Sequence, residues 1–215
     1  MSKYTTIIAK AKEGDLYTRT TMVYDIHLEW LMNYVSKKGK IKMAEVGVAR
    51  GGCLALCHIA NPEMNIIGLD SWEPMPAITE KDDIEKCNQW VGKLTSGKME
   101  DVKKSYIKLG ANDKNLTLIK GWVEDTIPAN IGLLEDLDIL RIDTDFYESI
   151  IFTLENLYPK LKDNGLVILD DWHFNPKGVQ GALKEFFEKN NINHKISIHT
   201  SGAGPAYFFK TATSE

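Results

Sequence analysis

Cysteine is scarce in this chain of 215 residues, three in all, and three thiols cannot all pair with one another. Cys53 and Cys57 share one face of an apolar helical stretch, and no histidine cluster with zinc spacing accompanies them. They are expected as buried, reduced thiols, and Cys87, in a polar helical stretch, marks no site. Basic excess is lacking too. The 26 Lys and Arg stand against 30 Asp and Glu, a net charge of −4 that gives no electrostatic reason to bind nucleic acid or an anionic membrane. No window is apolar enough to span a bilayer, and Met1-Ser2-Lys3-Tyr4-Thr5 has no apolar signal-peptide core, so a cytoplasmic location is expected. There is no internal repeat, no linker, no Gly-Lys-Ser/Thr phosphate loop and no G-x-G-x-x-G. One domain over residues 1–215 is the simplest organisation.

What is present is ordinary globular material, 43% apolar and 26% charged. Five apolar runs have strand character: Ile41 to Val48, Met64 to Leu69, Leu116 to Ile119, Leu137 to Ile142 and Gly165 to Leu169. Helical periodicity fills Ile26 to Lys37, Gly52 to Ala60, Ser149 to Leu161 and Gly178 to Asn190. Short continuous runs alternating with helices predict an α/β fold, with a parallel sheet covered on both faces. At the end, Lys195 to His199 alternates, Ser201-Gly202-Ala203-Gly204-Pro205 is turn chemistry, and Ala206 to Phe209 runs apolar, an antiparallel hairpin. The sum resembles the Rossmann-like, seven-stranded, mostly parallel sheet with one reversed strand that class I methyltransferases use. Residues 1–40 would form an N-terminal helical cap. Pro74 to Asp113 is long and charged, more than one helix needs, and reads as an insertion: a solvated helix pair or a lid over the site.

The strand ends carry the chemistry. Glu45-Val46-Gly47-Val48-Ala49-Arg50-Gly51-Gly52 follows the first strand and opens a helix, with glycines suited to a sharp turn and close ligand approach. Glu45 ahead of them would repel phosphate but suit an amino group, which points from NAD toward an adenosyl amino acid. Gly68-Leu69-Asp70-Ser71-Trp72-Glu73 puts a carboxylate where ribose hydroxyls are held. Gly121-Trp122-Val123-Glu124-Asp125-Thr126 offers an aromatic, amides and acids for an adenine. The same stretch would serve as a helix start, with Asp125 or Thr126 as cap and Pro128 in the first turn. Together the three ends point to S-adenosylmethionine. The last two strands end in Asp143-Thr144-Asp145 and Asp170-Asp171. Carboxylates gathered at one rim must be paired or metal-bound, and hard oxygen ligands favour Mg²⁺ or a similar cation. Asp170 and Asp171 would otherwise cap the helix that follows.

In this order, Glu45-x-Gly47-x3-Gly51-Gly52, Asp70-Ser71-Trp72-Glu73, Gly121-Trp122-x-Glu124-Asp125-Thr126, Asp143-x-Asp145-x-Tyr147-Glu148-Ser149 and Asp170-Asp171 resemble the macrocin O-methyltransferase family. The likeness runs from about Thr20 to the end. It implies a metal-dependent enzyme that moves a methyl group from adenosylmethionine to a small-molecule hydroxyl, often on a sugar, and a dimer or higher assembly. By the same resemblance Asp143, Asp170 and Asp171 would bind Mg²⁺, Asp145 would be general base, Asp70 would hold the ribose, and the Gly47 loop would underlie the methionine part. Thr144, where many members have Gly, and Trp172-His173, in place of the more usual Tyr, depart from the pattern and bear on the acceptor.

Such chemistry needs a hydroxyl made nucleophilic and aimed at the sulfonium methyl. Asp143 would share in it as ligand, and Asp145, two residues on, is near enough to take the proton. His173 is a second-base candidate or a structural histidine, and Arg141, inside the fourth strand, needs a carboxylate partner if buried. Tyr147, Trp172 and the insertion would line the acceptor pocket, and Tyr17 to Met22 would close over the cofactor or simply lead into the first helix. Two rivals are a metal-dependent phosphatase with an aspartyl nucleophile and a non-catalytic adenosyl-ligand module. The first places its motif after the wrong strand and leaves Glu45 to Gly52 and Asp70 without a role.

Overall fold

The computed structural model describes residues 3–13, 22–93, 97–199 and 204–211. Seven strands form one sheet: β1 (Lys42–Val46), β2 (Asn65–Asp70), β3 (Leu116–Lys120), β4 (Leu137–Ile142), β5 (Leu161–Leu169), β6 (Ser197–Ile198) and β7 (Ala206–Phe209). Their order is β3-β2-β1-β4-β5-β7-β6. The first five are parallel, and β7 runs antiparallel to both β5 and β6, the one reversed strand. Apolar residues fill β1, β4 and β5 because helices cover both faces.

The helices are α1 (Thr5–Glu13), α2 (Met22–Val35), α3 (Gly52–Ala60), α4 (Ile84–Cys87), α5 (Met99–Leu109), α6 (Val123–Ala129), α7 (Tyr147–Leu157) and α8 (Gly181–Lys189). On one face Ile8, Leu31, Leu54 and Val102 bring α1, α2, α3 and α5 into a single core; on the other Ile127, Leu154 and Phe186 join α6, α7 and α8. The N-terminal helices are thus part of the core, and α5 is the ordinary crossover between β2 and β3. The excess over one helix narrows to residues 74–93, which carry α4 and a 3₁₀ turn over Asn88–Trp90. No helix among the described residues is long and apolar enough to cross a membrane.

Several boundaries differ from the sequence expectation for local reasons. β1 stops at Val46 because Gly47 turns at φ +90°. β5 begins at Leu161, since polar Lys162, Asp163 and Asn164 form an irregularity within the strand, left-handed at Asn164 (φ +61°), where the register against β4 shifts. α7 ends at Leu157, with Tyr158 as cap and Pro159 following. α6 is capped by Trp122 rather than Asp125 or Thr126, and Pro128 lies inside it. α8 is preceded by a π-turn over Pro176–Gln180. Residues 17–21 and 201–203, on which the cofactor-closing segment and much of the Gly-rich turn fall, lie outside the described residues.

Strand order reverses between β1 and β4, and in an open α/β sheet the crevice beyond the strand ends at such a point is where ligands sit. Glu45 and Gly47 leave β1 there, Asp143 leaves β4, and Asp170 leaves β5.

Candidate active site

A cavity of about 680 Å³ opens at that crevice, within the range of small-molecule sites. Of the ten residues expected to hold an adenosyl ligand, Glu45, Gly47, Gly52, Asp70, Ser71, Trp122, Val123 and Glu124 line it. Gly51 and Asp125 do not. Gly51, at φ +75°, caps α3 and lies against Val102, where an added Cβ would come within 2.5 Å of Cγ1; Asp125 is exposed in the first turn of α6. Gly47 is needed for a contact inside the protein as much as for any ligand, because its Cβ would fall 1.9 Å from the Asp143 carbonyl oxygen.

Asp70 has a bracing role that its position in the sequence does not reveal. Its Oδ2 accepts from the amides of Val48 and Ala49, both at 2.8 Å, and its Oδ1 from the amide of Trp72 at 2.7 Å. Ala49 and Trp72 are left-handed, at φ 49° and 48°, and the Trp72 indole donates to the Ala49 carbonyl at 2.9 Å. The carboxylate thereby fixes the β1 and β2 loops against each other, while Oδ1, with a single donor, keeps capacity for a further one. Burial pushes its pKa up against these three amides.

Glu45 on β1 and Arg141 on β4 are register partners, and both are 1% exposed. The Arg141 guanidinium donates through Nη1 to Glu45 and, at 2.7 Å, to Asp143, and through Nη2 to Asp170. The carboxylate partner required of a buried arginine is therefore three carboxylates. Glu45 Oε2 is buried without a hydrogen-bond partner, and Cys53, another lining residue, is near the Glu45 carboxyl group. Burial holds the Glu45 pKa well above the ordinary carboxylate range. A hydrogen bond with Cys57, together with burial, raises the Cys53 thiol, so it stays protonated and is no nucleophile. All three cysteines are free and buried.

Asp143, Asp170 and Asp171 each present a carboxylate oxygen, and these atoms all lie within 4.8 Å of one another. Burial is the largest cause raising Asp143 and Asp171, reinforced for Asp143 by Asp170 and for Asp171 by Asp145 and Asp170. The Asp171 carboxyl lies against both Asp145 and Asp143, a crowding of carboxylates that a shared proton or a cation would relieve. Asp145 and Asp171 adopt φ +64° and +52°, left-handed backbone that Asp takes up more readily than most non-glycine residues. Thr144 Oγ1, between Asp143 and Asp145 and also on the cavity, is buried without a hydrogen-bond partner. The donor set fits a hard divalent cation, with one guanidinium already offsetting part of the charge. Asp170 and Asp171 do not cap the next helical segment, a role taken by Asn175, whose side chain accepts from the Gly178 amide.

The cavity is also walled by Met75, Pro76, Ala77 and Trp90 from the insertion and by Phe146, Trp172 and Phe174. Trp90 and Phe174 meet edge to face at 6.4 Å between centroids. His173 is exposed at this wall, whereas Tyr147 is buried and not part of it. The sequence reading had the insertion lining the pocket without singling out Trp90, and it missed Phe174 and the Gly204-Pro205 end of the hairpin turn. The aromatic content of the insertion was the signal for Trp90.

A family model described as macrocin-O-methyltransferase matches residues 17–204. The chain is 29% identical over 169 residues to demethyldecarbamoylnovobiocin O-methyltransferase of Streptomyces niveus, covering 74% of this chain and 63% of that protein. It is 27% identical over 164 residues to mycinamicin III 3''-O-methyltransferase of Micromonospora griseorubida, covering 71% and 62%. The chain thus spans less than two thirds of the length of these relatives. Among solved structures, the O-methyltransferase NovP matches with a TM-score of 0.72 at 25% identity over 89% of this chain and 82% of its own. The calicheamicin methyltransferase CalS11 shares the fold, with a TM-score of 0.69 at 19% identity over 94% and 85%. The architecture is the Rossmann-like class I methyltransferase fold, and the chain belongs to the macrocin O-methyltransferase family.

Proposed function

We propose that this protein is an S-adenosylmethionine-dependent O-methyltransferase that uses Mg²⁺ or a similar cation to methylate a small-molecule hydroxyl, on a sugar or another diol. The observation that carries this is the gathering of Asp143, Asp170 and Asp171 in one cavity that Glu45, the Gly47 loop and Asp70 also line. The relatives' names support the acceptor class: one acts at the 3'' position of a mycinamicin and one on a rhamnosyl group of a tetracenomycin.

When bound, the cofactor supplies the methyl group, and the cation lowers the pKa of an acceptor hydroxyl and fixes its position. Asp143, Asp170 and Asp171 would hold the cation, with Arg141 orienting Asp143 and Asp170 from behind. Asp145, in contact with Asp171, takes the proton released by the acceptor. Glu45 offers its buried Oε2 to an ammonium group, Asp70 keeps the β1 and β2 loops in place, and Trp122 gives the adenine an apolar face. Trp90, Phe146, Trp172 and Phe174 exclude water from the acceptor side and offer stacking faces to a ring. The family's usual dimer or higher assembly is part of the proposal.

Incubating the protein with methyl-labelled adenosylmethionine and a panel of glycosides and catechols, with Mg²⁺ or with EDTA, tests the reading. Label should enter a vicinal diol with Mg²⁺ and not with EDTA. Transfer indifferent to EDTA would remove the cation from the account, and failure to bind adenosylmethionine would remove the activity.

A further inference from the structure

Asp82 and Asn175 are 93 residues apart, polar, and placed at bends outside the helices and strands, yet they are 1% and 0% exposed. Asn175 Nδ2 donates to Asp82 Oδ1 at 2.7 Å and to the Asp145 carbonyl at 2.9 Å. Its Oδ1 accepts from the amides of Asp83 at 2.9 Å and Gly178 at 3.0 Å. One amide group thus fills all of its hydrogen-bonding capacity while touching the insertion, the loop after β4 and the segment before α8. Asp82 completes the joint. Its Oδ1 also accepts from the Tyr147 amide at the start of α7 at 2.8 Å, and its Oδ2 from the Thr79 amide at 3.0 Å.

The partner on the reaction side is the backbone of Asp145, a residue held at φ +64°. Gripping its carbonyl leaves its carboxylate toward Asp171 and fixes a turn that would otherwise relax. The joint is also closely packed: a Cβ on Gly178 would come within 2.2 Å of Asn175 Nδ2 and 2.5 Å of Asp82 Oδ1. Here the contacts converge on the three segments that supply the acceptor wall and Asp145.

We infer that Asp82 and Asn175 are positioning residues, a buried pin by which the 74–93 insertion sets the backbone of the Asp145 turn. The acceptor wall and Asp145 then form one rigid unit instead of a hinged lid over a separate site. The role assigned to Asp145 rests on the methyltransferase reading above; the mechanical joint does not.

Hydrogen exchange read by peptide mass spectrometry tests the joint in the full chain. Asn175→Asp puts an oxygen opposite the Asp82 carboxylate and the Asp145 carbonyl at nearly unchanged volume. Gly178→Ala pushes a methyl into the pin at a position without positive φ, where alanine normally favours a helix. In both variants, exchange in 74–93 and 143–149 should rise together by tenfold or more, with 137–142 and 165–169 within twofold of wild type. For an acceptor methylated in the labelling assay, kcat should fall at least tenfold while KM for adenosylmethionine stays within threefold. If the insertion loosens while 143–149 keeps its protection, or neither segment changes, the inference is wrong. Should Asn175→Asp open the sheet peptides as well, Gly178→Ala decides by the same criteria. Adenosylmethionine titration of the wild type reports on the methyltransferase reading separately, so the two failures are told apart.

Discussion

Replacing Gly47 with alanine should destabilise the protein by about 2–5 kcal/mol and weaken its hold on Mg²⁺. The new Cβ would lie 1.9 Å from the Asp143 oxygen, 2.5 Å from its carbonyl carbon and 3.2 Å from the Thr144 nitrogen. These are backbone atoms, tied in place by the Asp143 amide bonding to the Val46 carbonyl at 2.8 Å, so no side chain can swing aside. The φ of +90° adds about 1–2 kcal/mol of left-handed strain for a residue with a Cβ, and forcing packed atoms apart adds about 1–3 kcal/mol. Because the displaced residue is Asp143, its carboxylate moves relative to Asp170 and Asp171, and Mg²⁺ affinity should drop about tenfold, or ~1.4 kcal/mol. Gly132→Ala is the control: nothing lies within 4 Å of its Cβ, and stability should stay within about 0.5 kcal/mol. Urea denaturation followed by tryptophan fluorescence, with Mg²⁺ titration of each variant, gives both quantities. A Gly47→Ala protein with wild-type stability and wild-type Mg²⁺ affinity would refute the reasoning.

Arg141→Met, which leaves Glu45, Asp143 and Asp170 without their common cation, should lose about 3–5 kcal/mol in EDTA by chemical denaturation and regain more with Mg²⁺ than the wild type does. Asp143, Asp171 and Glu45 have folded pKa values raised by burial, so the metal-free folded state binds more protons than the unfolded one, and stability conferred by these groups is lost as pH rises above about 4. Thermal melts should therefore show a Mg²⁺ stabilisation that grows with pH across that window. His27, kept neutral down to about 3 by burial, has the opposite slope below 6.5 but is common to both samples. Trp122→Ala, at a residue 40% exposed, should leave stability within about 0.5 kcal/mol and weaken adenosylmethionine binding by about twofold to tenfold in calorimetry.

Elements with strong local punctuation were legible in the sequence. The bounds of α3 follow from Gly51 and Asn61 on either side of an apolar run, and β4 from its six residues between polar ends. The acid cluster was legible because each member follows a buried strand directly, so that parallel topology alone brings Asp143, Asp170 and Asp171 to one rim. β5 was read four residues short because Lys162, Asp163 and Asn164 are exposed and polar and turn left-handed at Asn164, which periodicity does not distinguish from a loop. The bracing by Asp70 was hidden for another reason: its partners are backbone amides, which carry no residue signature. The three-way pairing of Arg141 and the Asp82–Asn175 joint depend on which loops meet, a property of the assembled sheet and not of any segment.

The most direct test is calorimetric titration of Mg²⁺ into the adenosylmethionine-bound wild type and Asp171→Asn, a substitution that tolerates the left-handed backbone at this position. The account requires adenosylmethionine to bind both proteins alike and Mg²⁺ affinity to fall at least tenfold in the variant. Equal Mg²⁺ binding by the two proteins would show that the ion sits elsewhere, and a wild type that ignores adenosylmethionine would contradict the account at its root.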